Sequence, residues 1–208
     1  MTEEIIVFIL CFIHLNLKFI VGISGVNDVI IVLDTSKDQL DEKDIPQVTQ
    51  FIRAFLKSYS FRNSTTRVSI ILDAGNDNTK VLLQLKDGGN MAVIDYILSQ
   101  NGGFTYGGQG GPYQSTIRSI RNSIAQSTNP KTILIFSKTT SSLMDAIQKD
   151  DDIKNKKNTI VVPVAIGDRD GSEDTNVVTI DLSKNLPSVY PTLELVIKEA
   201  LGKIFSVE

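Results

Sequence analysis

Two residue types that carry much of enzyme chemistry are nearly missing from this chain. Its 208 residues include one histidine, His14, and one cysteine, Cys11. Both fall in an apolar N-terminal stretch, so the remainder has no histidine for a Ser-His-Asp triad and no Cys/His set for a zinc site. One cysteine also excludes an internal disulfide, which a domain able to bury its own core does not require. Massed basic charge is absent as well. The net charge is -3, and the densest basic stretch, Lys154-Asn155-Lys156-Lys157, follows Asp150-Asp151-Asp152. The two neutralise each other locally, which argues against a nucleic-acid-binding face. No internal repeat and no linker divides the chain.

Residues 5–23 form the one compositional break. Ile5 to Ile13 is uninterrupted apolar sequence, and Phe19-Ile20-Val21 resumes it after His14, Asn16 and Lys18. The length suits a signal peptide, with small residues Gly22, Ser24 and Gly25 offering cleavage positions. Glu3 and Glu4 depart from the usual basic start. Residues 1–24 are accordingly expected to be a signal peptide, which makes the protein secreted. Retained as a membrane anchor, residues 5–23 would have to hold Asn16 and Lys18 inside the span at a cost; a soluble apolar element is the third possibility. Asn63-Ser64-Thr65 is a glycosylation acceptor pattern in a polar loop, consistent with export.

What the chain does have is a sharply bounded apolar strand, Val29-Ile30-Ile31-Val32-Leu33, ending in Asp34-Thr35-Ser36-Lys37-Asp38. Buried parallel strands read this way when they deliver polar groups to the carboxyl edge of an α/β sheet, where sites in such sheets form. Asp, Thr and Ser are also ordinary turn residues, so both readings stand at this point.

Apolar runs alternate with amphipathic stretches along the rest of the chain. Asp41–Tyr59 is predicted as a helix, with Pro46 tolerated in its first turn. Arg67–Asp73 and Lys80–Leu85 are predicted strands whose short connection suits an antiparallel hairpin. Helices follow over Gly89–Gln100 and Tyr113–Gln126, then a strand over Thr132–Phe136 and a helix over Ser141–Lys149. Ile160–Ile166 and Val177–Ile180 are strands and Pro191–Phe205 a closing helix. Pro163 counts against a fully central place for the fifth strand. The whole predicts one α/β domain over 27–206: a doubly wound, mostly parallel six-stranded sheet with one antiparallel edge strand and helices on both faces.

Two other segments invite site readings. Tyr106-Gly107-Gly108-Gln109-Gly110-Gly111-Pro112 precedes a helix, but it lacks the Lys-Ser/Thr of a phosphate loop and does not follow the first strand. It is read as a flexible loop at a binding edge. Asp168, Asp170, Glu173 and Asp174 are read as a solvated acidic turn rather than a Ca²⁺ site.

Several of these features together resemble the von Willebrand factor A domain, the fold shared with integrin inserted domains. Asp34-Thr35-Ser36-Lys37-Asp38 is similar to the family's Asp-x-Ser-x-Ser, and Gly102-Gly103-Phe104-Thr105 to the loop that supplies a threonine. Lys131–Ser137 is similar to the strand ending in Thr-Asp-Gly, and Thr159–Gly167 to the strand ending in Ile-Gly. The resemblance implies a metal-ion-dependent adhesion site suited to Mg²⁺, with Asp34, Ser36 and Thr105 as ligands and Asp38 in place of a second serine. Its last carboxylate is missing: Lys138 or Ser137 stands there. The expectation is therefore a degenerate site in which the Lys138 ammonium pairs with Asp34 and Asp38 in place of the metal. Opposite charges about 4 Å apart attract by roughly 4 kcal/mol at an effective dielectric of 20, before desolvation. Alternatively, Asp38 restores Mg²⁺ binding.

The function implied is a secreted, non-enzymatic, adhesion-type domain that binds an extracellular protein partner without a metal or other cofactor. It would bind through Asp34–Asp38, Phe104–Gly111 and Lys138–Ser142, with Phe104 and Tyr106 as contact aromatics. The alternatives are an enzyme using Asp34 with Lys138, and an inert structural module.

Overall fold

The computed structural model describes residues 28–58, 66–100, 107–138, 141–156, 158–166 and 178–180. The predicted signal, the Asn63 acceptor, Phe104, Thr105, Tyr106, the acidic turn at 168–174 and the closing helix lie outside these residues.

Six strands form one sheet: β1 (Asp28–Asp34), β2 (Val68–Asp73), β3 (Thr79–Leu83), β4 (Lys131–Ser137), β5 (Thr159–Ile166) and β6 (Val178–Ile180), in the order β3-β2-β1-β4-β5-β6. Every pairing is parallel except β2 with β3, which is antiparallel at one edge. Helices α1 (Ile45–Ser58), α2 (Met91–Ser99), α3 (Gln114–Ala125), α4 (Ser141–Gln148) and α5 (Asp151–Lys154) connect them.

The pleat of β1 explains its all-apolar sequence. Val29, Ile31 and Leu33 join one core with Phe51, Phe55 and Leu56 of α1 and Ile94 and Leu98 of α2. Ile30 and Val32 join the other, with Ile120 and Ile124 of α3, Leu143 and Ile147 of α4 and Ile153 of α5. A strand covered on both sides has no polar face to alternate with. Each such side chain, fully buried, contributes about 1.5–3 kcal/mol. In the first core Phe136 of β4 packs edge-on against Phe51, ring centres 6.1 Å apart.

Some sequence expectations shift at their ends. The first helix begins as a 3-10 turn over Glu42–Asp44. Leu85, expected in the second hairpin strand, sits in another 3-10 turn, Leu85–Asp87. The acidic run Asp150-Asp151-Asp152 leads into α5, whose first turn Asp150 caps by accepting from the Ile153 N–H at 3.1 Å. Among the described residues β6 pairs with Val164–Ile166, so Pro163 lies just before that ladder and its missing N–H falls outside it.

The amino edge of the sheet is held by charge. Asp28, fully buried, pairs with Arg67 at 3.1 Å. Lys131, also buried, donates its ammonium to the Ser127 and Asn129 carbonyls at 2.6 Å each. Burial pulls its pKa below the ordinary lysine value, while Asp28 opposes the shift.

Candidate functional site

The carboxyl edge begins with a matched pair. Asp34 and Asp73 end β1 and β2 and are Cα partners in the parallel ladder. By the pleat they continue the faces of Val32 and Ile71, which lie on the α3 side of the sheet. Both are buried.

Asp34 Oδ1 accepts from the Ser36 hydroxyl at 2.6 Å and the Ser36 N–H at 3.1 Å. Among the described residues no group donates to its Oδ2. Burial, outweighing the Ser36 hydrogen bonds, pushes the Asp34 pKa up to about 6, and the negative charges of Asp73 and Asp38 add to the rise. Asp73 is better satisfied: Oδ1 accepts from the Gly75 N–H at 2.8 Å and Oδ2 from the Thr116 hydroxyl of α3 at 2.7 Å. With that proton committed to Asp73, the 2.7 Å contact between Thr116 and Thr79 has Thr79 as donor. Burial raises the Asp73 pKa too, against those two hydrogen bonds.

Asp38, four residues past the end of β1, is exposed and turned toward the glycine-rich loop. Its Oδ1 accepts from the Gly110 N–H at 2.9 Å. Tyr113 closes the far side, its hydroxyl 2.9 Å from the Ser142 hydroxyl. Burial raises the Tyr113 pKa, and the charges of Asp34, Asp73 and Asp38 push it the same way. One hydroxyl thus lies in the field of three carboxylates.

The described part of the glycine-rich loop, 107–112, is fastened rather than free, which corrects the flexible-loop expectation. The Lys37 N–H donates to the Gly108 carbonyl at 2.9 Å, the Gly108 N–H to the Ala74 carbonyl at 2.7 Å, and the Asn76 N–H to the Gln109 carbonyl at 2.8 Å. Glycine permits this approach, since a Cβ on Gly108 would lie 2.3 Å from the Ala74 carbonyl oxygen. The β2–β3 turn is tied in as well: Asp77, at φ 57°, accepts from the Ser115 N–H at 2.6 Å. It caps α3 from outside, since Tyr113 provides no side-chain cap of its own.

Of the sequence-predicted site residues, Asp34 and Ser36 come together and Asp38 lies beside them on the loop side. Lys138 does not join them. Its side chain is exposed, and among the described residues it makes no ion pair with Asp34 or Asp38. Pleat parity supplies the reason: Ile133 and Ile135 face α3 and α4, so Ser137 continues the face of Asp34 and Lys138 falls on the other parity. Its backbone N–H donates to the Gln39 carbonyl at 3.0 Å instead. Asp73, Tyr113 and Thr116 were not singled out in the sequence, whereas Ser142 bounds the expected contact segment Lys138–Ser142. Asp73 carried a usable signal, being the second apolar strand to end in aspartate.

Chemically, this edge presents carboxylate and hydroxyl oxygens able to hydrogen-bond a partner; among the described residues no three Asp, Glu, His or Cys side chains gather as a metal cluster. It offers no exposed nucleophile beside a base, because Ser36 is buried with its proton committed to Asp34.

A family model for the von Willebrand factor type A domain matches residues 28–190. No curated protein sequence matches the chain. Among solved structures, proximal thread matrix protein 1 from the mussel byssus has the same fold. One crystal form superposes with a TM-score of 0.58 at 17% identity, over 85% of this chain and 48% of that one. A structure of the same protein described as having a zinc-occupied MIDAS motif gives 0.58 at 14% identity, over 82% and 46%. The chain thus spans about half the length of these structures.

Proposed function

The chain belongs to the von Willebrand factor type A family, and from that premise we propose that it is a secreted, non-enzymatic, adhesion-type module that binds an extracellular protein through the carboxyl edge of its sheet. The observation that carries this reading is the convergence there of Asp34, Ser36, Asp38 and Asp73 with a fastened glycine-rich loop. Rigid elements that present polar groups at one edge are what a recognition surface on this fold requires. The enzymatic alternative loses its pair, since Lys138 stands in solvent away from Asp34.

The expectation of metal-free binding rested on Lys138 filling the site. With that ammonium elsewhere, the buried Asp34 Oδ2 has no counter-charge among the described residues, and a divalent cation fits the donors present. Asp34 and Ser36 would hold it, joined by Asp38. All are oxygen donors, as hard divalent cations prefer. Bound there, the cation would offer an open position to a carboxylate of the partner. The mussel byssus protein, described with zinc in its MIDAS motif, gives a precedent on the same fold.

The test is solid-phase binding of the chain to a panel of immobilised matrix proteins, in Mg²⁺ and in EDTA. Asp34→Ala is expected to lower binding by about tenfold or more, the loss typical of a central interface residue, with an unchanged circular dichroism spectrum. Undiminished binding by a folded Asp34→Ala chain would move the interface off this edge.

A further inference from the structure

We infer that Asp73 supplies, from the neighbouring strand, the second buried negative charge at the cation-binding edge that the fourth strand does not provide. The inference rests on the cation-assisted reading above and adds a residue to it.

Three observations carry it. First, β4 ends at Ser137 and continues into Lys138, so among the described residues β4 brings no carboxylate to this edge. Secondly, β2 flanks β1 on the opposite side and ends in an aspartate at the same level, Asp73 opposite Asp34. The shared parity sends both carboxylates to the α3 side, the side on which Tyr113 packs with Val32 and Ile71. Thirdly, two buried acids side by side without a basic partner are costly. Among the described residues no Lys or Arg forms an ion pair with either one, while Asp34 keeps an unpartnered oxygen.

The rest of the surroundings suit a positioned charge better than a turn residue. The Gly75 N–H and the Thr116 hydroxyl each donate to one Asp73 oxygen, which fixes the carboxylate plane and leaves a lone pair on each oxygen. Thr79 in turn fixes Thr116. Oriented carboxylates of this kind are how proteins tune a cation site even where the acid does not touch the ion. A purely structural Asp73 would serve the turn equally well as asparagine, with no consequence for cations.

The experiment is calorimetric titration of the full chain with MnCl₂, paired with the Mn²⁺-induced shift in Tm, for wild type, Asp73→Asn and Asp73→Glu. Wild type is expected to bind Mn²⁺. Asp73→Asn keeps the shape and is expected to weaken Mn²⁺ binding by roughly tenfold or more, while melting no lower than wild type in cation-free buffer. Asp73→Glu, which keeps the charge, is expected to retain most of the binding; should Asp73→Asn fail to fold, Glu against Gln repeats the comparison. Equal Mn²⁺ affinity in wild type and Asp73→Asn would overturn the role of Asp73 and leave the cation-assisted reading standing. No Mn²⁺ binding by wild type would overturn both.

Discussion

Asp34 holds its charge against its surroundings. Its pKa stands at about 6 in the fold against 3.8 ordinarily, because burial outweighs the two Ser36 hydrogen bonds. The folded chain therefore binds that proton more tightly than the unfolded chain. The stability this group contributes is fully present below about pH 3.8 and is lost as pH rises through 6. Asp73 is shifted in the same direction. Asp95 and Asp150, held low by hydrogen bonds from Arg53 and Arg121, lose their contribution only at more acid pH. In cation-free buffer, urea melts are expected to show wild type losing about 2 kcal/mol between roughly pH 4.5 and 7 relative to Asp34→Asn. An identical pH slope in both proteins would assign the effect to other groups.

Among the elements, the described loop segments around residues 37, 75 and 108 at the carboxyl edge are joined backbone to backbone. Gly108 threads between Lys37 and Ala74, and its missing Cβ is what permits the contact. Gly108→Ala places a methyl 2.3 Å from a carbonyl oxygen, and such overpacking against backbone is expected to cost about 2 kcal/mol by urea denaturation. A change within experimental error would mean the loop can slide aside.

This is also where sequence reading reached its limit. Apolar runs ending in polar residues revealed β1, β2, β4 and β5, because strands buried on both faces leave a compositional mark. The fastening of 107–112 left none, since glycine serves flexible and close-packed backbone equally. Its partners Lys37, Ala74 and Asn76 are also distant in sequence. Lys138 was misjudged because one residue of register reverses the face on which a side chain falls. Asp73 was legible in principle, as the end of a predicted strand, but next to a short hairpin connection an aspartate is also an ordinary turn residue.

For the whole molecule, the two ends of the sheet have separate duties. The amino edge is a structural clamp built around Asp28, Arg67, Asn129 and Lys131. Arg67→Ala would leave Asp28 buried without its partner, a loss expected to cost about 3 kcal/mol by urea denaturation. The same variant, where folded, is expected to keep wild-type Mn²⁺ affinity by calorimetry, because the groups proposed to bind the cation lie at the far end of the strands. Coupled losses of stability and affinity would show that the two edges communicate.

The fastened loops also set the terms on which a partner is met. Segments around residues 37, 75 and 108 are joined main chain to main chain before any ligand arrives. The backbone ordering entropy that a mobile loop surrenders on association, about 1–2 kcal/mol per residue, is at these segments surrendered when the chain folds. Such a surface has little capacity to adapt. It would tell partners apart by rejecting whatever does not already match its shape, and homologous ligands would differ mainly in how long they stay.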